Sequence, residues 1–205
     1  DERCDVVIGE QYRYGVAKGA SEHLVLAAHA AGEIACTIVR PGDVYGPGSR
    51  AWLSEPLKLA KAGMLLLPDE GRGRWTPVYI EDLLDGVMLA AGLPQAIGHI
   101  FHISSQSSVS VAEFFANHWR WAGRKGTPPS LPLWLAVVVT RLLWGGNRLL
   151  QRDNEAGPDA MYMLARSGGI SIDKARRVLG YQPKISLEQG LRHSETWLRE
   201  TGQLS

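Results

Sequence analysis

Cysteine is nearly absent: Cys4 and Cys36 are the only two in 205 residues, and their spacing is neither a CxxC pair nor any metal-ligand pattern. A disulfide-stapled miniature scaffold is thereby excluded, and both thiols read as reduced in a cytosolic setting. An excess of one charge is missing too, because 22 Lys and Arg face 21 Asp and Glu for a net charge of +1. No global field draws the chain to nucleic acid or anionic lipid, so any such patch has to be local. The first ten residues lack the basic start and long apolar run of a secretion signal. Internal repeats and low-complexity tracts are also absent.

What remains is ordinary globular material. Hydrophobic residues make up 45% and charged residues 21%, which excludes disorder and leaves room for a large core. The length suits one generous domain, or one domain with an incomplete neighbour.

Small and apolar residues recur at Ala17, Ala20, Ser21, Leu24, Val25 and Ala28, which predicts a helix over 14–31 stopped by Gly32. Residues 35–39 are apolar and β-branched without alternation, as in a strand covered on both faces of a parallel sheet. Helix is expected over 54–62, 81–91, 111–122 (opened by Ser110), 173–179 and 187–199. Strands or extended segments are expected over 64–67, 75–80 and 99–104. Residues 123–132 read as a Pro- and Gly-rich linker, and 131–150 is the most apolar stretch of twenty. Helix alternating with strand implies an α/β layer architecture.

Tyr14 and Lys18 stand four apart at the start of the first helix, so both side chains lie on one face within reach of a common ligand. A phenol near pKa 10 shuttles protons poorly at neutral pH, but an adjacent ammonium favours the phenolate. Such a pair suits general acid/base chemistry. Taken alone, it reads first as a surface Tyr stacked on a Lys stem, because such pairs are common.

Four ordered segments give it context. They are Tyr14-Gly15-Val16-Ala17-Lys18, Val39-Arg40-Pro41-Gly42-Asp43-Val44-Tyr45-Gly46, Trp75-Thr76-Pro77-Val78-Tyr79-Ile80-Glu81-Asp82-Leu83 and Asp173-Lys174-Ala175-Arg176-Arg177-Val178-Leu179-Gly180-Tyr181-Gln182-Pro183. Together they span nearly the whole chain. This chain resembles the extended short-chain dehydrogenase/reductases, the NAD-dependent epimerase/dehydratase superfamily, in its 3β-hydroxysteroid dehydrogenase-like branch. The resemblance implies an α/β fold: a partial Rossmann-type parallel sheet plus a smaller α/β substrate-binding domain. Residues 1–50 would belong to the NAD(P)-binding domain, and 51–205 to the substrate-binding domain with some elements returning to the Rossmann core.

It also implies roles. Tyr14 and Lys18 would be catalytic, the Tyr exchanging the substrate's proton and the Lys also bonding the nicotinamide ribose. Pro41 and Val44 would lie on the cofactor side, at the carboxyl end of a parallel strand. Arg74 and Tyr45 would face the substrate, Arg74 resembling the position that holds a diphosphate in nucleotide-sugar members. The C-terminal signature is expected to be structural, with Leu179 and Tyr181 packing and Gly180 capping a short helix.

The family's glycine-rich phosphate turn, ribose-binding acid and catalytic Ser or Thr precede the Tyr, and residues 1–13 contain none of them. The expectation is a C-terminal portion of a longer enzyme that is inactive and binds NAD or NADP weakly by itself. Gly46-Pro47-Gly48-Ser49-Arg50-Ala51 mimics a dinucleotide fingerprint, yet Pro47 removes a donor from the would-be cradle. No metal site is expected, because His99 and His102 fall on opposite faces of a strand.

Arg141, Gly145, Gly146 and Arg148 interrupt the 131–150 segment too often for a spanning helix. It reads as lying on a membrane, lidding an apolar pocket, or filling a core, with Arg141, Arg148 and Arg152 on one face and Trp134 and Trp144 as interfacial aromatics. The function expected is an NAD(P)-dependent oxidoreductase acting on a CH–OH group of a sterol-like or lipid alcohol. A nucleotide-sugar epimerase/dehydratase and a non-catalytic redox-sensing or membrane-associated scaffold are the alternatives. The partners expected are a small-molecule substrate, no nucleic acid and peripheral membrane contact through 131–150, with a homodimer left open. The location expected is cytoplasmic, with membrane association as the variant.

Overall fold

The computed structural model describes residues 1–2, 13–105, 107–149, 157 and 159–204. The chain forms two compact units, one from residues 1–44, 78–106 and 170–186, the other from residues 45–77, 107–169 and 187–205.

The first unit holds α1 (Arg13–Ala30), β1 (Ile38–Pro41), α3 (Ile80–Gly92), β6 (Ile100–Ile103) and α7 (Asp173–Leu179). β1 and β6 pair in parallel, Ile38 opposite Ile100 through Pro41 opposite Ile103. Phe101, Ile103, Ala175 and Tyr181 are fully buried beneath them, with Val78, Leu179 and Ile172 alongside. Each large apolar side chain so buried contributes roughly 1.5–3 kcal/mol. Gly180 caps α7 in the left-handed region, φ 68°, its N–H reaching the Arg176 carbonyl at 3.1 Å. The packing and capping expected of the C-terminal signature are therefore present.

Tyr181 donates its hydroxyl to the Ser104 carbonyl at 3.3 Å, and burial pushes its phenol up. Asp82, 2% exposed in the first turn of α3, accepts the backbone N–H groups of Lys184 at 2.8 Å and Ile185 at 3.1 Å. Those two bonds tie the segment after α7 to the start of α3.

The second unit holds α2 (Glu55–Ala62), β3 (Leu67–Pro68), β4 (Arg74–Trp75), β7 (Val109–Ser110), α4 (Val111–Trp121), β8 (Ser130–Leu131), α5 (Leu133–Leu149), α6 (Asp159–Leu164) and α8 (Leu187–Glu200). Two short ribbons organise it: β3 with β8 in parallel and β4 with β7 antiparallel. A π-type turn over Arg50–Ser54 leads into α2, closed by the Ser54 N–H on the Ser49 carbonyl at 3.3 Å. β2 (Asp43–Tyr45) and β5 (Pro77–Tyr79) are the strands in which the chain passes between units.

The core of this unit is aromatic. Trp75 stacks on Phe114 at 3.5 Å between ring centroids, and Trp52, Phe115 and His118 pack edge-on or tilted around them. His118 is fully buried on α4 and donates Nε2–H to the Trp52 carbonyl at 2.9 Å, while its Nδ1 has no hydrogen-bond partner. Burial in this apolar shell pushes its pKa down to about 4.

Several expectations shift. The first strand starts at Ile38 rather than at 35, and the extended segment over 75–80 is two strands broken at Thr76. Residues 64–67 contribute only Leu67 to a strand, and the supposed linker contains β8, whose pairing with β3 no local pattern announces. Ala17, Ala20, Ser21 and Leu24 form an exposed face of α1, Leu24 at 73%, while Val16, Gly19, Glu22, Val25 and Leu26 turn inward. Small side chains favour helix but bury little area, so that stripe predicts the helix and not its inner face.

Candidate active site

Tyr14 lies in the first turn of α1 and its side chain falls outside the described residues. Lys18, one turn on, is exposed. The next residue of that row, Glu22, is half-buried and ion-paired with Arg40, the Nε–H of which donates to Oε2 at 2.9 Å. Hydrogen bonds from Arg40 hold the Glu22 carboxyl below its usual range. Arg40 is the penultimate residue of β1, so this pair clamps the Tyr14–Lys18 row of α1 to the carboxyl end of a parallel strand. Pro41 follows as the exposed last residue of β1, the Gly42 N–H bonds the Ile103 carbonyl at 2.9 Å, and Val44 packs on the core of the unit. The four cofactor-side candidates, Tyr14, Lys18, Pro41 and Val44, thus belong to one unit.

The substrate-side candidates, Tyr45 and Arg74, belong to the second unit. Tyr45 is 1% exposed, its ring edge-on to Trp75 at 5.3 Å and to Phe114 at 6.2 Å. Gly190 of α8 makes room for its phenol, since a Cβ there would stand 2.2 Å from Oη. Arg74 is exposed on β4, donating from its guanidinium to Ser108 Oγ at 2.8 Å. Its N–H bonds the Arg166 carbonyl at 2.7 Å, and Arg166 Nε donates back to the Arg74 carbonyl at 3.1 Å. The arginine is therefore backbone-anchored beside a hydroxyl and directly precedes the buried Trp75, whose Nε1 has no hydrogen-bond partner.

Sequence reasoning missed the Arg40–Glu22 clamp and the Asp82 ties. Arg40 stood inside a quoted segment and Asp82 in an acidic turn, but their partners lie 18 residues and about a hundred residues away in sequence. Among the described residues no group of three or more His, Cys, Asp or Glu is placed to hold a metal ion. Cys36 is a free thiol, and Cys4 lies outside the described residues.

The NAD dependent epimerase/dehydratase family matches this chain over residues 2–104, which takes in α1, β1 and β6. The chain belongs to that family. A 4-hydroxy-2-methyl-3-oxo-4-farnesyl-3,4-dihydroquinoline-1-oxide ketoreductase of Stigmatella aurantiaca is 26% identical over 87% of this chain and 53% of its own length. A 3beta-hydroxysteroid-dehydrogenase/decarboxylase of Arabidopsis thaliana is 21% identical over 88% of this chain and 34% of its own. The solved structure of UDP-glucuronic acid 4-epimerase from Bacillus cereus, in complex with UDP-glucuronic acid and NAD, superposes with a TM-score of 0.66 at 22% identity, over 92% of this chain and 52% of that one. That likeness shows the epimerase/dehydratase fold. This family member spans at most about half the length of these relatives.

Proposed function

We propose that this chain carries the acid/base pair and the substrate side of an NAD(P)-dependent oxidoreductase acting on a CH–OH group. The observation that supports it best is the Tyr14–Lys18 row on α1, clamped through Glu22 and Arg40 to the carboxyl end of β1. In open α/β sheets that end is where ligands bind. The residues present fit a nicotinamide ribose: an exposed ammonium at Lys18, one turn from a phenol, with Pro41 exposed at the strand end. Lys18, Pro41 and Val44 would hold the cofactor, NAD or NADP, whose nicotinamide when bound supplies hydride exchange at the substrate carbon.

Tyr14 takes the proton from the carbinol oxygen, or returns it to the carbonyl oxygen. Lys18 favours the phenolate by its positive charge. In this reading residues 1–50 serve the cofactor and 51–205 the substrate, with some elements of 51–205 returning to the cofactor-binding core. A sterol-like or other lipid alcohol is the preferred substrate class, supported by the ketoreductase and steroid-dehydrogenase relatives and by the aromatic second unit. Such a substrate is reached from a membrane surface, which gives the apolar 131–150 segment a part in the reading. Arg74 favours a second reading, a nucleotide-diphospho-sugar, because an anchored guanidinium beside Ser108 suits a diphosphate.

The test is turnover in the natural protein that carries these residues, with a 3β-hydroxysteroid and with a nucleotide sugar, each against NAD and NADP. Tyr14→Phe is expected to lower turnover by about two to four orders of magnitude with cofactor affinity nearly unchanged. Lys18→Met is expected to damage both. Full turnover in Tyr14→Phe removes the catalytic assignment. Loss of sugar turnover alone in Arg74→Ala favours the second reading.

A further inference from the structure

Lys18 stands between two neighbours on its own helix row. Tyr14 lies four residues before it on α1 and Glu22 four residues after, each one turn away. Helical side chains lean toward the N-terminus, so the Glu22 carboxylate leans back over the turn of Lys18 while Lys18 leans toward the turn of Tyr14. A Lys18–Glu22 ion pair would draw the ammonium the other way, away from Tyr14. Carboxylates on other helices of this chain do take a cation one turn away: Glu55 holds Lys58 on α2 and Glu195 holds Arg199 on α8, both at 2.8 Å.

Glu22 pairs instead with Arg40, eighteen residues on in sequence. The Arg40 Nε–H donates to Oε2 at 2.9 Å and a terminal guanidinium nitrogen donates to Oε1, so one planar fork engages both oxygens. The two side chains are only 21% and 12% exposed, which keeps water from screening the carboxylate. The other groups that act on Glu22 are His23 and His102. His23 is exposed, where solvent weakens its attraction. His102 is the register partner of Arg40 on β6, and burial lowers its pKa, so it is uncharged at neutral pH. Arg40 is thus the cation that neutralises Glu22.

We propose that Arg40 is a positioning residue for Lys18: by taking both oxygens of Glu22, it keeps the ammonium at the Tyr14 turn. This rests on the reading of Tyr14 and Lys18 as the acid/base pair, and gives the Arg40–Glu22 pair a task beyond tying α1 to β1.

Two substitutions separate the tasks. Arg40→Met releases the Glu22 carboxylate to Lys18, and Glu22→Gln removes the rival charge. In the natural protein that carries these residues, Arg40→Met is expected to lower turnover about fivefold or more. Adding Glu22→Gln should restore most of it. A pair that only ties helix to strand predicts no rescue, since the double variant lacks the tie as fully as Arg40→Met does.

The full chain gives a second readout that needs neither substrate nor cofactor. Lys18 is acetylated with N-hydroxysuccinimide acetate, and its rate is read by peptide mass spectrometry against Lys125, which is also exposed. An ion-paired ammonium loses its proton less readily, so Arg40→Met should slow Lys18 about threefold, and the double variant should regain the wild-type rate. If circular dichroism shows Arg40→Met unfolded, Arg40→Lys takes its place. A lysine keeps the charge without the fork, so it should give a smaller slowing that Glu22→Gln again reverses. The proposal is overturned by wild-type acetylation of Lys18 in the folded Arg40 variant, or by a double variant that stays as slow as the single one. Full turnover in Tyr14→Phe removes the catalytic reading instead, and leaves the acetylation result standing.

Discussion

Asp82 shows how one residue can hold a unit together without touching the chemistry. Its carboxylate, 2% exposed, accepts two backbone N–H groups from Lys184 and Ile185. Removing it leaves two part-buried donors to find water, at up to about 1–3 kcal/mol each before relaxation. Asp82→Ala is therefore expected to lower the urea midpoint by an amount equivalent to about 2–4 kcal/mol, and Asp82→Asn by less, since one amide oxygen still accepts. Equal stability of wild type and Asp82→Ala would show that water replaces both bonds. At this scale the sequence was legible where placement on an element depends on local spacing. Tyr14 and Lys18 stand four apart, and Gly180 closes a helix at its own position. Arg40–Glu22 and Asp82–Lys184 escaped because an ion pair or a buried acceptor is defined by what folding brings to it, and no local rule relates residues so far apart.

Elements divide along the same line. Each helix expected from periodicity forms within a few residues of its expected bounds, because capping and i, i+4 spacing are local. Ser110 is the clearest example: its Oγ accepts the Glu113 N–H at 3.1 Å, and the Glu113 carboxylate accepts the Ser110 N–H at 2.7 Å. Hydrogen bonds from Ser110 hold the Glu113 carboxyl below its usual range. Ser110→Ala should cost about 1 kcal/mol, and Glu113→Gln less, because Gln keeps an acceptor for the Ser110 N–H. Thermal melts of the two variants give that order directly, and a reversed order would assign the main effect to Glu113. The strands were read less well. β3 and β8 are two residues each, and their pairing joins segments more than sixty residues apart. The π-type turn over Arg50–Ser54 and the short helix α6 carry no periodic signal long enough to find.

At the scale of the whole chain, the distribution of tryptophan separates the two units experimentally. All seven tryptophans, at 52, 75, 119, 121, 134, 144 and 197, belong to the second unit, whereas ellipticity reports helices in both. His118 makes the second unit acid-sensitive. It is held neutral at about 4 against an ordinary 6.5, because protonation would place an unpaired charge among Phe114, Phe115 and Trp121. With the folded value depressed, the unfolded chain takes up the proton first. Stability is intact above pH 6.5 and is lost as pH falls from there toward 4, by about 3 kcal/mol over the window. The first unit has its own sensitive group, since burial also lowers His102, but that ring is half-buried and faces the attraction of Glu2. Urea midpoints followed by tryptophan fluorescence should therefore fall more steeply between pH 7 and pH 5 than midpoints followed by ellipticity. His118→Gln keeps a donor for the Trp52 carbonyl without a titrating ring, and should flatten the fluorescence limb while leaving most of the ellipticity limb in place. Coincident midpoints at every pH, shifted together by His118→Gln, would mean that the units unfold as one cooperative body, with the histidine in the aromatic core setting the acid limit for the whole chain.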